Sequence, residues 1–111
     1  MNTKAIYTVH ENGKEHYFFS EHAGGFSYPF AVADFLHSLK GVLNDPMSPQ
    51  KGLCAAPMLE QMKGNYLFPE EIEGKELFTA VKKEQMFQLA VKEQASFGIE
   101  IDMEQDTVSF H

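Results

Sequence analysis

The stretch Ser27 to Asp45, SYPFAVADFLHSLKGVLND, carries a start signal, a periodic middle and a stop. Pro29 suits the first helical position, where a missing N–H costs nothing, and Ser27 stands where a side chain can cap the free amides. Val32, Phe35, Leu36, Leu39, Val42 and Leu43 recur at three- and four-residue intervals. On a 3.6-residue helix they make one apolar stripe about 120° wide, which predicts the core-facing side. Asn44-Asp45-Pro46 ends the pattern, because the residue before a proline is pushed out of the α region. Phe30, Asp34, His37 and Gly41 fall on the opposite side. An aromatic there has two readings, sideways packing under a neighbouring loop or a contact patch for a partner.

A helix with one apolar stripe needs a sheet or other helices to cover it, and the flanking sequence supplies strands. Lys4 to His10 and Glu15 to Glu21 are rich in Tyr, Phe, Val and Ile and flank Glu11-Asn12-Gly13-Lys14. Asn-Gly is the preferred centre of a type I′ turn, since both positions need positive φ. With the turn there, Ile6, Thr8 and His10 share a face with Glu15, Tyr17 and Phe19, and Ala5, Tyr7 and Val9 share the other with His16, Phe18 and Ser20. At the C-terminal end Ile99, Ile101 and Met103 alternate with Glu100, Asp102 and Glu104. Gln105-Asp106 then turns the chain into Thr107 to Phe110, which predicts a second hairpin, apolar on one face and acidic on the other.

Between the hairpins, Pro57 to Lys63 reads as a short helix, Tyr66-Leu67-Phe68 as an extended piece and Pro69-Glu70-Glu71 as a helix opening. Glu76 to Ser96 is ambiguous. Its Ala, Leu, Lys, Glu and Gln favour a helix capped near Gly98, whereas Phe87-Leu89-Val91 alternates as a strand would. We take it as helix. The expected architecture is a single α+β domain over residues 1–111, an antiparallel sheet built from an N-terminal and a C-terminal β-hairpin and packed against about three helices.

At 111 residues and 43% hydrophobic content the chain has material for one core. No apolar run approaches the roughly 20 residues that span a bilayer. The N-terminal residues show no basic region followed by an apolar segment, and the single cysteine, Cys54, makes no internal disulfide. Both lead us to expect a cytoplasmic protein. The net charge is −7, and no arginine is present. Arginine's planar fork is the usual bidentate reader of phosphate and guanine, so direct nucleic-acid binding is not expected, nor is binding to anionic membranes.

Glu100, Asp102, Glu104 and Asp106 form the most distinctive local pattern. On a strand, alternate residues lie about 6.6–6.8 Å apart on one face, close to the spacing of phosphates along one nucleic-acid strand. The plainer reading is a solvated outer face. The same residues fail as a calcium loop, since Thr107 stands where the turn glycine belongs. His10, His16, His22, His37 and His111 make no HxH or HxxxH pair, and Cys54 has no CxxC partner. A metal site could only assemble through space, from His16 with His22 and an acid or Cys54. The Gly24-Gly25 pair before the helix is a weak anion-site candidate.

These observations lead to an expectation of a non-enzymatic, acidic protein-interaction module. In its sharper form it inhibits or regulates a partner by masking a basic, nucleic-acid-binding surface. Its contact residues would be Glu100, Asp102, Glu104, Asp106, Phe30, Asp34 and His37. No cofactor and no metal is expected, and a homodimer is left open. One alternative is a small-ligand or metal-binding module with Tyr17, Phe19, Phe30 and the histidines around a pocket. Another is a cysteine-dependent hydrolase using Cys54 with a histidine base.

Overall fold

Asn12 and Gly13 have φ values of 55° and 73°, the positive angles that a two-residue hairpin turn demands. They join β1 (Ala5–Glu11) to β2 (Lys14–Ser20) in the expected register, with Ile6 opposite Phe19, Thr8 opposite Tyr17 and His10 opposite Glu15. This computed structural model describes residues 4–23, 25, 27–45, 47, 54–61 and 76–111, without the Phe97 side chain. The readings at Tyr66-Leu67-Phe68 and Pro69-Glu70-Glu71 lie outside those residues.

The organising helix forms as α1 (Tyr28–Leu43), with proline in its first turn. Val32, Leu36 and Leu43 are buried and Phe35 and Leu39 pack against the core, so most of the stripe faces inward. Val42 departs from it at 67% exposure. Ser27 departs as well: its backbone is already αR and its side chain makes no cap bond.

Among the described residues the sheet has five strands in the order β3-β2-β1-β4-β5, with β3 at Thr79–Ala80, β4 at Ser96–Asp102 and β5 at Thr107–Phe110. Both hairpins are antiparallel, as expected. They meet through β1 and β4, which run parallel, so the sheet as a whole is mixed. The fold is α+β.

Alternation decides which face is covered. Ala5, Tyr7, Val9, Phe18, Ile99 and Ile101 join Val32, Ala33 and Leu36 of α1 in one buried cluster. The Tyr7 hydroxyl donates to the Ala23 carbonyl, and burial pushes its ionisation well above the ordinary tyrosine range.

Glu76 to Ser96 is not one helix. Leu77 and Phe78 enter the core outside any helix, just before β3, and the Phe78 ring stands edge-on to Tyr7 at 5.1 Å and to Phe18 at 6.2 Å between centroids. Burial of two large apolar side chains outweighs the few tenths of a kcal/mol per residue by which Lys, Glu and Gln favour helix. A 3₁₀ turn at Lys83–Gln85 then leads into α2 (Met86–Glu93). Its left-handed cap is Gln94, at φ 53°, not Gly98. Helix α2 is tied to the start of β1 by an ion pair of 2.9 Å between Lys4 Nζ and Glu93 Oε2.

Candidate functional site

Gly98 decides the shape of the open sheet face. Between Ile6 and Tyr7 the β1–β4 register slips, so that Ile6 is opposite Phe97 and Tyr7 is opposite Ile99, leaving Gly98 as the extra residue. Its φ is +117°, and a Cβ there would meet the His111 carbonyl oxygen at 2.7 Å. Glycine lets the C-terminal residue close on β4, where the His111 N–H donates to the Gly98 carbonyl at 2.9 Å.

Turned away from α1, this face carries a cavity of about 380 Å³. Ile6 and Thr8 of β1 line it with Glu15 and Tyr17 of β2, Gly98, Glu100 and His111 on the β4 side, and Lys83 and Met86 at the start of α2. Its polar groups are linked. His10 lies between the two carboxylates, Nδ1 at 3.7 Å from Glu15 Oε1 and Nε2 at 3.3 Å from Glu100 Oε1. Glu100 Oε2 is 2.6 Å from His111 Nε2. The Tyr17 hydroxyl donates to Glu15 Oε2. That bond stabilises the carboxylate and the protonated phenol together, so Glu15 is held below its ordinary value and Tyr17 is pushed up to about 12. The cavity thus brings two carboxylates and one ammonium against a partly apolar floor.

The expected contact residues do not form one surface. Glu100 lines the cavity. Asp102 Oδ1 accepts the amides of Glu104 and Gln105, each at 3.0 Å, and so shapes the turn that follows β4. Glu104 Oε1 accepts the Asn12 amide, and Asp106 Oδ1 lies 2.8 Å from His37 Nε2 on α1. The strand ends at Asp102, so the even carboxylate spacing expected over residues 100–106 stops there. Phe30 meets Phe110 of β5 at 5.8 Å between ring centroids, and both rings stay about half exposed. Asp34 is exposed on the same helix. Of the proposed pocket residues, Tyr17 and His111 line the cavity, and Phe19 and Phe30 do not.

Sequence reasoning placed Tyr17, Glu15 and His10 on one face and counted His111 with the other histidines around a pocket, but did not select Glu15, Lys83, Met86 or Gly98 as pocket residues. The strand alternation held the signal for Glu15. Nothing local held it for the others, which come together through the parallel pairing and the Gly98 bulge.

Cys54 lies away from the cavity, with Asn12 Nδ2 donating to its Sγ at 3.5 Å. The nearby Glu11 carboxylate accepts the amides of Ala55 and Ala56 and the Lys40 ammonium, and a ring nitrogen of His16 lies within 4.8 Å of both Glu11 and the Cys54 sulfur. Gly24 of the glycine pair lies outside the described residues. No helix among the described residues is long and apolar enough to cross a membrane. No family model, no curated protein and no solved structure matches the chain, so a functional reading rests on this geometry alone.

Proposed function

We propose that the protein is a small-ligand-binding module whose site is the cavity between the open sheet face and the start of α2. The observation that carries this reading is the pair of carboxylates, Glu15 and Glu100, facing one concave space that is floored by Ile6 and closed by Met86. A concave, partly apolar cavity with a few convergent polar groups is the usual form of a ligand site, and about 380 Å³ lies at the small end of the range. Two carboxylates against one lysine favour a compact organic cation, and a primary amine places its hydrogen-bond donors on the acids and its carbon body on Ile6 and Met86. Benzylamine is a suitable probe and benzoate its matched control. Amide NMR should show benzylamine shifting Ile6, Thr8, Gly98 and Met86, with the shifts weakened by Glu15→Gln. Preference for benzoate, or shifts confined elsewhere, would sink the reading.

A protein-interaction role is the second reading, supported by the half-exposed Phe30–Phe110 pair beside Asp34 and by the net charge of −7. Its acidic partner-masking form gains no support from Asp102, Glu104 and Asp106, which serve turns and the α1 contact. A partner recovered from source lysate and retained at high salt, but lost with Phe30→Ser, would favour the aromatic face. A basic partner released by salt would favour the charge. Light scattering that shows a dimer dissociated by Phe30→Ser would assign the face to self-association.

A further inference from the structure

At the turn end of the first hairpin, on the side facing α1, three residues from separate segments converge. One carboxylate oxygen of Glu11, one ring nitrogen of His16 and Cys54 Sγ all lie within 4.8 Å of one another. Glu11 pairs with Lys14, so His16 is its diagonal neighbour on the same sheet face. Cys54 is delivered by a different device. The amides of Ala55 and Ala56 donate to Glu11 Oε2 and Oε1 at 2.8 and 2.9 Å, which fixes the segment that follows the cysteine.

Counting electron pairs shows what the cluster lacks. A carboxylate offers about four lone-pair positions. Oε2 of Glu11 accepts Ala55 and Lys40 Nζ, the latter at 2.9 Å, while Oε1 accepts Ala56, which leaves one position on Oε1 among the described residues. His16 Nε2 is buried with no hydrogen-bond partner among the described residues. Such an orphaned group carries a desolvation cost that a bound ligand relieves. Among the described residues Cys54 Sγ accepts one contact, from Asn12 Nδ2 at 3.5 Å. A carboxylate, an imidazole and a thiol, each with coordinating capacity left among the described residues, therefore share one small volume that a single cation fits.

The donor set selects the cation. One sulfur, one imidazole nitrogen and one carboxylate oxygen suit a borderline metal, whereas calcium and magnesium require mostly oxygen. At zinc distances of about 2.0–2.3 Å, ligand atoms on a tetrahedron stand about 3.5 Å apart, so the cluster needs to contract by only about 1 Å. A cleft of about 210 Å³ lined by His16, Tyr17, Pro57 and Glu60 borders the cluster at His16, on the β2–β3 side. The Lys40 ammonium, which opposes a cation, is already paired with Glu11, and Lys14 stands opposite Glu11 with its side chain exposed to solvent.

We propose that Glu11, His16 and Cys54 form a zinc site with its fourth position open to solvent. The site is separate from the cavity on the opposite sheet face and does not depend on the ligand assigned there. The test uses the full chain, purified without a histidine tag and stripped of metal. Zinc is titrated against a chromophoric chelator, and cobalt(II) serves as a spectroscopic stand-in. We expect one equivalent of zinc bound in the low micromolar range or tighter, and a cobalt complex with tetrahedral bands and a thiolate charge-transfer band. Cys54→Ser should remove the charge-transfer band, and His16→Ala should weaken zinc on the order of tenfold or more, while His22→Ala and His10→Ala leave both unchanged. Circular dichroism of each variant separates lost binding from lost folding, and the wild-type cobalt spectrum stands whether or not a variant folds. No stoichiometric zinc, cobalt bound without a thiolate band, or affinity that follows His10 instead of His16 would overturn the assignment.

Discussion

Gly98 is where one missing methyl group shapes the site. A side chain there meets the His111 carbonyl at 2.7 Å and must also adopt φ +117°. Gly98→Ala should therefore destabilise the protein by about 1–3 kcal/mol, read by thermal melting. It should also move the His111 imidazole resonances by parting the ring from Glu100. The Glu15–Tyr17 pair offers a second residue-scale prediction. Tyr17 is raised to about 12, so its contribution to stability is complete below the ordinary phenol value of about 10 and is lost as pH rises through about 12. Glu15 is depressed, so its contribution is complete above the ordinary carboxyl value and is lost as pH falls through the lower folded value. Ultraviolet titration should show Tyr7 and Tyr17 ionising later than an ordinary tyrosine, and Glu15→Gln should bring back only the Tyr17 phase. An unmoved titration would show that the hydrogen bond does not hold in solution.

At the scale of elements, α1 and α2 behave differently. α1 buries Val32, Leu36 and Leu43 against the sheet, so Leu36→Ala should cost about 3 kcal/mol. Val42→Ala, on the same predicted stripe but exposed, should change stability by no more than about 0.5 kcal/mol. Denaturant midpoints at unchanged slope distinguish the two. α2 buries Ala90 while Phe87 and Val91 stay exposed, and its link to β1 is the half-exposed Lys4–Glu93 pair. That pair keeps Glu93 below its ordinary value through the Lys4 hydrogen bond. Lys4→Met should raise the Glu93 midpoint in a carboxyl NMR titration, with little effect on melting.

For the whole molecule, strand order sets where stability concentrates. β1 is bonded on both sides, to β2 and to β4, and its α1-facing side chains are fully buried, while β3 and β5 are the sheet edges among the described residues. Amide exchange should be slowest in β1 and approach the global unfolding free energy there, with β5 and β3 exchanging orders of magnitude faster. Slow exchange confined to the first hairpin, with β4 unprotected, would contradict the parallel pairing.

Local chemistry carried much of this fold. Asn12-Gly13 has few conformations other than a tight turn, Pro29 and the Val32–Leu43 stripe define a helix and its inner face, and the alternation at Ile99, Ile101 and Met103 marks the buried side of β4. The α+β class was legible for that reason. Local chemistry misread Glu76 to Ser96, where helix propensity yields to the burial of Leu77 and Phe78, and it could not show that the strand ends at Asp102, so that the acids from Glu100 to Asp106 do not form one ladder. The cavity and the Glu11–His16–Cys54 cluster depend on contacts between residues tens of positions apart. The sequence by itself determined the elements and their apolar faces, because those follow from neighbours within a few residues. Only the tertiary structure decided which polar residues meet, because the parallel register of β1 with β4 and the Gly98 bulge are set by packing over the whole core.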